Sequence, residues 1–339
     1  MIKESVIIPG EIYFLREIDV LSGEKSPYAK IGLVELSRES TERKQEHQTA
    51  NPRDLVLVSH FKTECVRAVE KYLHWHYIEH GVRGEWFKFS DEILSGAIKY
   101  AEELRDMFAD QIASLRDGFM YQSVVSDGRV KPATDEAQRW LREYQVANLI
   151  SANSYQAYEE FKKAIKEAEE RGEDTSDGGT YIDRTRRDLV EKDLMKGDPD
   201  LYSKYCFEKI TARFTPTKAN TAVESDPRVS QAKARSLELV QSIAAMKSGK
   251  LDFNSVSQIA FGVDSTGKFF EKAKELSQLH LQAECESAEK IDGICTWKRE
   301  SGLELDTKRF KKEQDESYER YSIEKTYKVW VPNKKGQAD

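Results

Sequence analysis

The chain has 339 residues, of which 39% are hydrophobic and 33% charged, and a formal net charge of -7. That length predicts two or three domains, and the polar balance suits long solvated helices better than a compact all-β body. An evenly acidic surface repels phosphate, so any nucleic-acid binding must come from a local site rather than from bulk charge.

No run of residues approaches the length of a membrane span. The start, MIKESVIIPGEIYF, lacks the basic, apolar and cleavage regions of an export signal. Cys65, Cys206, Cys285 and Cys295 are scattered without a CxxC pair, which argues against a zinc ribbon or a disulfide framework. The expectation is a cytoplasmic protein with reduced thiols and no membrane partner.

In chain order, residues 11–18 (EIYFLREI) and 28–34 read as two strands joined by a polar SGEKSP loop. Residues 38–48 are polar enough for a short exposed helix, which ends where Pro52 disfavours helix at Asn51. LVLVSHF at 55–61 is a third strand. From Thr63 to His80, Val66, Val69, Leu73 and Tyr77 recur at helical steps until Gly81 ends the run. EWFKF at 85–89 is a short strand, and Ser90 caps a helix carrying Ile93, Ala97, Ala101, Leu104, Phe108 and Leu115. The expected architecture is α+β: a small three-stranded antiparallel sheet flanked by helices over residues 1–95, a helical connector over 96–171, and a mainly helical region over 180–339.

QRWLREYQVANLI and YQAYEEFKKAIKEAEE are helical segments, and RGEDTSDGG at 171–179 has the composition of a linker. There is no internal repeat of the solenoid kind. Residues 254–278 fit either a plain helical hairpin or a helix-turn-helix turning at Phe261-Gly262-Val263. The second reading, with a cap at Asp264 or Ser265, would present Ser265, Thr266, Lys268 and Lys272 to a DNA groove. Residues 204–250 hold nine Lys or Arg against four Asp or Glu, a basic stretch in an acidic chain. The segment from Arg309 to Gly336 mixes both signs and reads as a solvated helix followed by a terminal strand.

Five of the six histidines, His47, His60, His74, His76 and His80, crowd into one stretch, and only His280 lies elsewhere. Hydrolysis of a phosphodiester needs a base for water, a cation for the phosphorane and a carboxylate for a metal ion. Tyr13 and Lys30 on neighbouring strands, Arg43 and His47 four apart on one helix, and Glu70 on the next supply those groups.

The blocks EIYF (11–14), AKIG (29–32), RKQEHQTANP (43–52), EKYLH (70–74) and RGEWF (83–87) together resemble the GIY-YIG nuclease superfamily. The likeness covers about a quarter of the chain. It implies that Tyr13 positions or deprotonates the attacking water, Arg43 stabilises the phosphorane, His47 relays a proton and Glu70 is the single acidic ligand of Mg²⁺ or Mn²⁺. Glu11 stands where the first motif has glycine. Lys30 stands where the second has its name-giving tyrosine, and is expected to serve as base or phosphate clamp. The family's late asparagine has no clear match, leaving His74 or Glu85 as supporting groups.

The function this implies is a metal-dependent DNA endonuclease of host defence or phage origin, with DNA as partner and the long helices free to form a homo-oligomer. Two other readings stand beside it. One is a binding protein with a degenerate nuclease domain. The other is a zinc peptidase, since His76-Tyr-Ile-Glu79-His80 matches the pattern H-x-x-E-H, which requires a helix running through His80.

Overall fold

The computed structural model describes residues 7–36, 39–49, 51–173, 175 and 179–332. Three long strands, β1 (Gly10–Ile18), β2 (Lys25–Glu35) and, after helix α1 (Ser40–Thr49), β3 (Asp54–Thr63), form an antiparallel sheet with β1 in the middle. Helix α2 (Val66–His76) follows, and the short strands β4 (Gly81–Arg83) and β5 (Trp86–Lys88) extend the sheet to five strands in the order β3-β1-β2-β5-β4. The three strands expected from the sequence are thus joined by two short ones.

Helix α3 (Asp91–Tyr121) begins at Ser90, whose hydroxyl accepts from the Ile93 N–H, and closes the sheet's core with Leu94, Ala97, Ala101, Leu104 and Phe108. Further along, β6 (Val130–Lys131) leads to α4 (Asp135–Glu170) and the strand β7 (Gly179–Leu189). Part of the expected linker at 171–179 lies outside the described residues. Helices α5 (Glu191–Gly197) and α6 (Pro199–Lys204), strand β8 (Cys206–Pro216), and helices α7 (Thr221–Glu224), α8 (Pro227–Lys247) and α9 (Phe253–Cys285) come next. The chain then runs through β9 (Lys290–Ile291), β10 (Cys295–Leu305), α10 (Thr307–Glu313), α11 (Asp315–Arg320) and β11 (Ser322–Pro332).

Residues 253–285 are one helix, which corrects both the hairpin and the helix-turn-helix expected there. Its cap is Asp252, whose carboxylate accepts from the Ser255 N–H at 2.8 Å. Phe261-Gly262-Val263 stay helical inside it because Val263 is buried beside Val256 and Ala260 against α4 and α8. The C-terminal region is also less helical than expected, since four strands of eleven residues cross it.

Those strands expose an internal repeat that the sequence reading missed. Every element from Gly179 to Pro216 recurs 116 residues later with identical bounds: β7 as β10, α5 as α10, α6 as α11 and β8 as β11. Thr180, Leu189, Lys192, Lys196, Tyr202, Tyr205, Glu208, Lys209 and Pro216 meet the same residue type at Thr296, Leu305, Lys308, Lys312, Tyr318, Tyr321, Glu324, Lys325 and Pro332. The two copies exchange strands: β7 pairs with β11, and β8 with β10. Their contacts match as well. Asp306 N–H donates to the Tyr205 carbonyl at 2.9 Å, and Val190 N–H to the Tyr321 carbonyl at 2.8 Å. Both copies supply the small core of Leu194, Tyr205, Leu305, Phe310 and Tyr318 at the far end of the two ribbons.

Helices α4 and α9, which precede the two copies, pack antiparallel, with the Ser151 hydroxyl on Glu271 and the rings of Trp140 and His280 stacked 3.7 Å apart. Buried Arg299 ties this body together. It donates to the carbonyls of Tyr121, Glu286 and Ala288 at the ends of α3 and α9, and lies over the Trp297 ring. Among the described residues no helix is long and apolar enough to cross a membrane.

A side chain at Gly118 of α3 would fall 2.3 Å from the Leu279 carbonyl of α9, so the helices approach through that glycine. Gly118→Ala is expected to cost about 1–3 kcal/mol through overpacking. Gly262→Ala, in open space on α9, is expected to stabilise by up to about 1 kcal/mol. Thermal melting of the two variants against wild type checks the opposite signs.

Candidate active site

Residues of β1 alternate between two faces. Ile12 and Phe14 enter the core beneath α2 and α3, whereas Tyr13 and Leu15 turn the other way, toward Leu55 and Val34. Helix α1 is almost devoid of apolar residues and is fixed on that second face by polar contacts. The Glu11 carboxylate accepts from the Ser40 N–H at 3.2 Å, at the start of α1. Near its end, Gln48 accepts from the Leu55 N–H at 2.7 Å and donates to the Arg53 carbonyl at 2.8 Å. Arg43 and His47, one turn apart, are thereby aimed at Tyr13, and the Tyr13 hydroxyl lies 3.4 Å from His47 Nε2.

Across the strands Tyr13 pairs with Gly32, and a Cβ at position 32 would lie 2.4 Å from the phenol oxygen. The ring therefore crosses β2 at a point with no side chain. Ile31 N–H still donates to the Glu85 carbonyl at 3.0 Å, but beyond it β2 has no strand on its outer side among the described residues. The Lys30 ammonium, with Lys30 only 6% exposed, reaches Glu85 at 2.5 Å along that margin. From the opposite face α2 brings Glu70 and His74. Two helices on opposite faces of one sheet thus meet at the edge of β2.

Burial drives three of these groups toward their neutral forms. Burial, then the Glu85 carboxylate, pushes the Tyr13 phenol up to about 12 against the pull of Arg43. Burial, then Lys30 and Arg43, holds His47 down at about 4, so its imidazole is neutral at pH 7. Burial and then Glu85 raise Glu70 to about 7 in spite of Lys71 and Lys30. Glu70 makes no side-chain hydrogen bond or ion pair among the described residues. Burial would also raise Glu85, but its bond to Lys30 and the positive charge of Lys30 outweigh that and leave it below the usual carboxylate range.

Of the expected residues, Tyr13, Lys30, Arg43, His47, Glu70 and Glu85 are brought into one neighbourhood. His74 lies beside it and braces β2 instead, its Nε2 donating to the Ile31 carbonyl at 3.0 Å, while burial pushes its pKa down. Sequence reasoning missed Gly32, Glu11 and Gln48 as parts of the site. A glycine directly opposite the motif tyrosine was the available signal for the first. Glu11, which departs from the expected glycine, anchors α1.

The residues expected to read DNA lie within one continuous helix rather than on a second helix after a turn. Thr266 is 4% exposed, with its hydroxyl on the Gly262 carbonyl at 2.9 Å. Ser265 is exposed one turn before Lys268 on the same helix face, but Lys268 is paired with Asp264 and Lys272 with Glu275. The zinc reading fails on geometry too. Helix α2 stops at His76, Ile78–His80 is a single 3-10 turn, and Glu79 is bound to Arg235. Among the described residues no group of three or more His, Cys, Asp or Glu is placed to hold a metal ion.

No protein-family model, curated protein or solved structure matches this chain.

The raised pKa of Glu70 has a definite sign in stability. Its protonated form is favoured in the fold, so the contribution is full below the unfolded carboxyl value and is lost as pH rises through about 7. With chelator present, Glu70→Gln is expected to melt close to wild type at pH 4.5 and above it at pH 8. The difference should be on the order of 3 kcal/mol. Equal melting of the two proteins at pH 8 would contradict the burial of an ionised carboxylate.

Proposed function

We propose that the edge of β2 is the active site of a metal-dependent endonuclease of the GIY-YIG type that hydrolyses phosphodiester bonds in DNA. The observation that carries this reading is the meeting around Gly32 of a phenol, a neutral imidazole, two cations and a carboxylate with no partner among the described residues. Each corresponds to a part that phosphoryl hydrolysis needs; the two cations are also paired in the fold, Lys30 with Glu85 and Arg43 with Glu46.

Arg43 and Lys30 are the groups that would hold the phosphate. Their positive charges would stabilise the charge that develops on the equatorial oxygens as the phosphorane forms. With the His47 proton on Nδ1, the Tyr13 O–H would donate to Nε2, 3.4 Å away, and the phenol oxygen, which also takes a hydrogen bond from Arg43, would keep a lone pair to accept from an attacking water. The proton then passes from water to Tyr13 as the phenol proton moves to His47. An incoming phosphate adds negative charge beside His47, offsets Lys30 and Arg43, and raises the basicity of the imidazole toward the working range.

The donor set fits a hard divalent cation. Glu70 is a partly buried carboxylate with no protein partner among the described residues, and its high proton affinity arises from burial and a second carboxylate nearby. A cation replacing that proton would relieve the same repulsion, and oxygen donors suit Mg²⁺ or Mn²⁺, which keep several waters and share substrate phosphate oxygens. Bound at Glu70, the ion would neutralise charge on the transferring phosphate and the leaving oxygen.

Purified protein is expected to cut supercoiled plasmid or phage genomic DNA with Mg²⁺ or Mn²⁺, and not with chelator. Glu70→Ala should abolish cutting, and Arg43→Ala should slow it by about 10²–10³-fold, the usual loss of one oxyanion-stabilising group. At pH 8, Mg²⁺ should raise the melting temperature of wild type but not of Glu70→Gln. DNA that is bound but never cut, with no metal response, would sink the nuclease reading.

A further inference from the structure

The β7–β11 ribbon is a two-stranded sheet of eleven residues a side, and residues 182–187 and 323–328 are exposed along it. Partners across the strands share a face, so the register divides the side chains into two sets. On one face Tyr181 lies opposite Trp330, Asp183 opposite Lys328, Thr185 opposite Thr326 and Arg187 opposite Glu324. That face satisfies itself. Trp330 turns to α4, its Nε1 donating to the Tyr158 hydroxyl at 3.2 Å. The two threonine hydroxyls lie 3.4 Å apart, and Arg187 is bound to Glu319 with Glu324 at 3.7 Å.

The other face does not. Ile182 lies opposite Val329, Arg184 opposite Tyr327 and Arg186 opposite Lys325. Like charges directly across an antiparallel pair weaken the pairing. One carboxylate serves both, since Asp188 lies 2.9 Å from Arg186 and 3.2 Å from Lys325. The Arg186 guanidinium lies 5.1 Å over the Tyr327 ring, and Arg184 has no ion pair among the described residues. The fold itself does not call for these cations. In the twin ribbon of β8 and β10, Glu300 stands at the position of Arg184 and Gly302 at that of Arg186, and the same strand pairing forms. A chain of net charge -7 thus carries, on one of its two ribbons, an outward face of three cations and exposed apolar side chains against a single acid.

We propose that this face docks duplex DNA, with the ribbon lying along the major groove. Two strands about 4.8 Å apart fit a groove about 12 Å wide, and eleven residues span about 36 Å, roughly one turn of the duplex. Arg184, Arg186 and Lys325 meet backbone phosphates, which also relieves the repulsion between the last two, and Ile182 and Tyr327 meet thymine methyl groups on the groove floor. The major groove of duplex RNA is too deep and narrow to admit such a ribbon. The choice of DNA rests on the nuclease reading, whereas the surface uses none of the sheet-edge residues, so the two can fail separately.

The test is binding of a short labelled DNA duplex to the full chain carrying Glu70→Ala, in chelator, followed by fluorescence anisotropy over a series of salt concentrations. Affinity is expected to fall steeply with salt. Adding Arg184→Glu, which breaks no ion pair, should weaken binding about tenfold or more and lower the slope against log salt by about one, with an unchanged melting temperature. Lys328→Ala, on the opposite face, should leave affinity within about twofold, and an RNA duplex of the same sequence should bind about tenfold more weakly than DNA. No DNA binding at low salt, undiminished binding by folded Arg184→Glu, or RNA held as tightly as DNA overturns the proposal. Cutting that Glu70→Ala abolishes and Arg184→Glu leaves intact, with binding also intact, removes the ribbon and keeps the nuclease; binding that Arg184→Glu weakens in a protein that never cuts keeps the ribbon and removes the nuclease.

Discussion

Close contact of helix α9 with two neighbours, each through a glycine, is the constraint on which the rest of the molecule depends. Gly118 lets α3 approach the Leu279 carbonyl, and Gly267 lets α9 approach Ser154 of α4. Helix α3 closes the core of the five-stranded sheet, and Leu276 and Leu279 of α9 enter that same core. Trp75 of α2 stacks on Phe269 of α9 at 4.5 Å from the other side. The helix that carries Glu70 is therefore braced from behind by the C-terminal body, so the chemistry and the helical region are not separable by a cut at residue 95. A rigid helical backing is what a site at the margin of a small sheet needs, because short strands alone fix side chains poorly.

The repeated strands follow the same logic of mutual support. The two-stranded β7–β11 ribbon would be marginal by itself, whereas β8 and β10 continue into a four-stranded sheet through β9 and β6; each pair takes one strand from each copy. Their far ends are secured by a shared core to which Tyr205 and Phe310 contribute a ring contact at 5.3 Å. Tyr205 reaches Glu313 at the end of α10, and Gly197 at the end of α5 leaves room for Tyr321, so the same closure is made twice. Exchange of strands between the copies means that each copy's strands find their hydrogen-bonding partners in the other.

What could be read from the sequence tracks the physical strength of each signal. Tyr13, Arg43, His47 and Glu70 were legible because their chemistry and spacing coincide in five ordered blocks, and Ser90 because a cap before an apolar helical pattern is a local signal. The ribbons were not legible. Strands such as TYIDRTRRDL are exposed on both faces and carry charge at half of their positions, so the period-two alternation that marks a half-buried strand is absent. The repeat escaped notice because its copies share mainly Tyr, Lys and Glu at wide intervals, and a long helix separates them. Gly262 suggested a turn at 261–263; burial of Val263 and Phe269 overrides that local preference, and Gly267, a poor helix former, stays in the helix where it allows close packing against Ser154.

The electrostatics of the sheet edge explain why its groups must be read together. Phenol, imidazole and carboxyl are all held by burial in the form without charge, while Lys30 and Glu85 neutralise each other. Each group alone would be a poor catalyst: the phenol is too weak an acid, the imidazole too weak a base, and Glu70 half-protonated at neutral pH. On the proposed reading, one event corrects all three. A cation arriving with a phosphate favours the ionised Glu70, and the phosphate charge favours a proton on His47, which in turn strengthens Tyr13 as an acceptor for water. Lys30 fits the same scheme: after burial, its charge is the next cause that lowers His47, and an incoming anion would offset it.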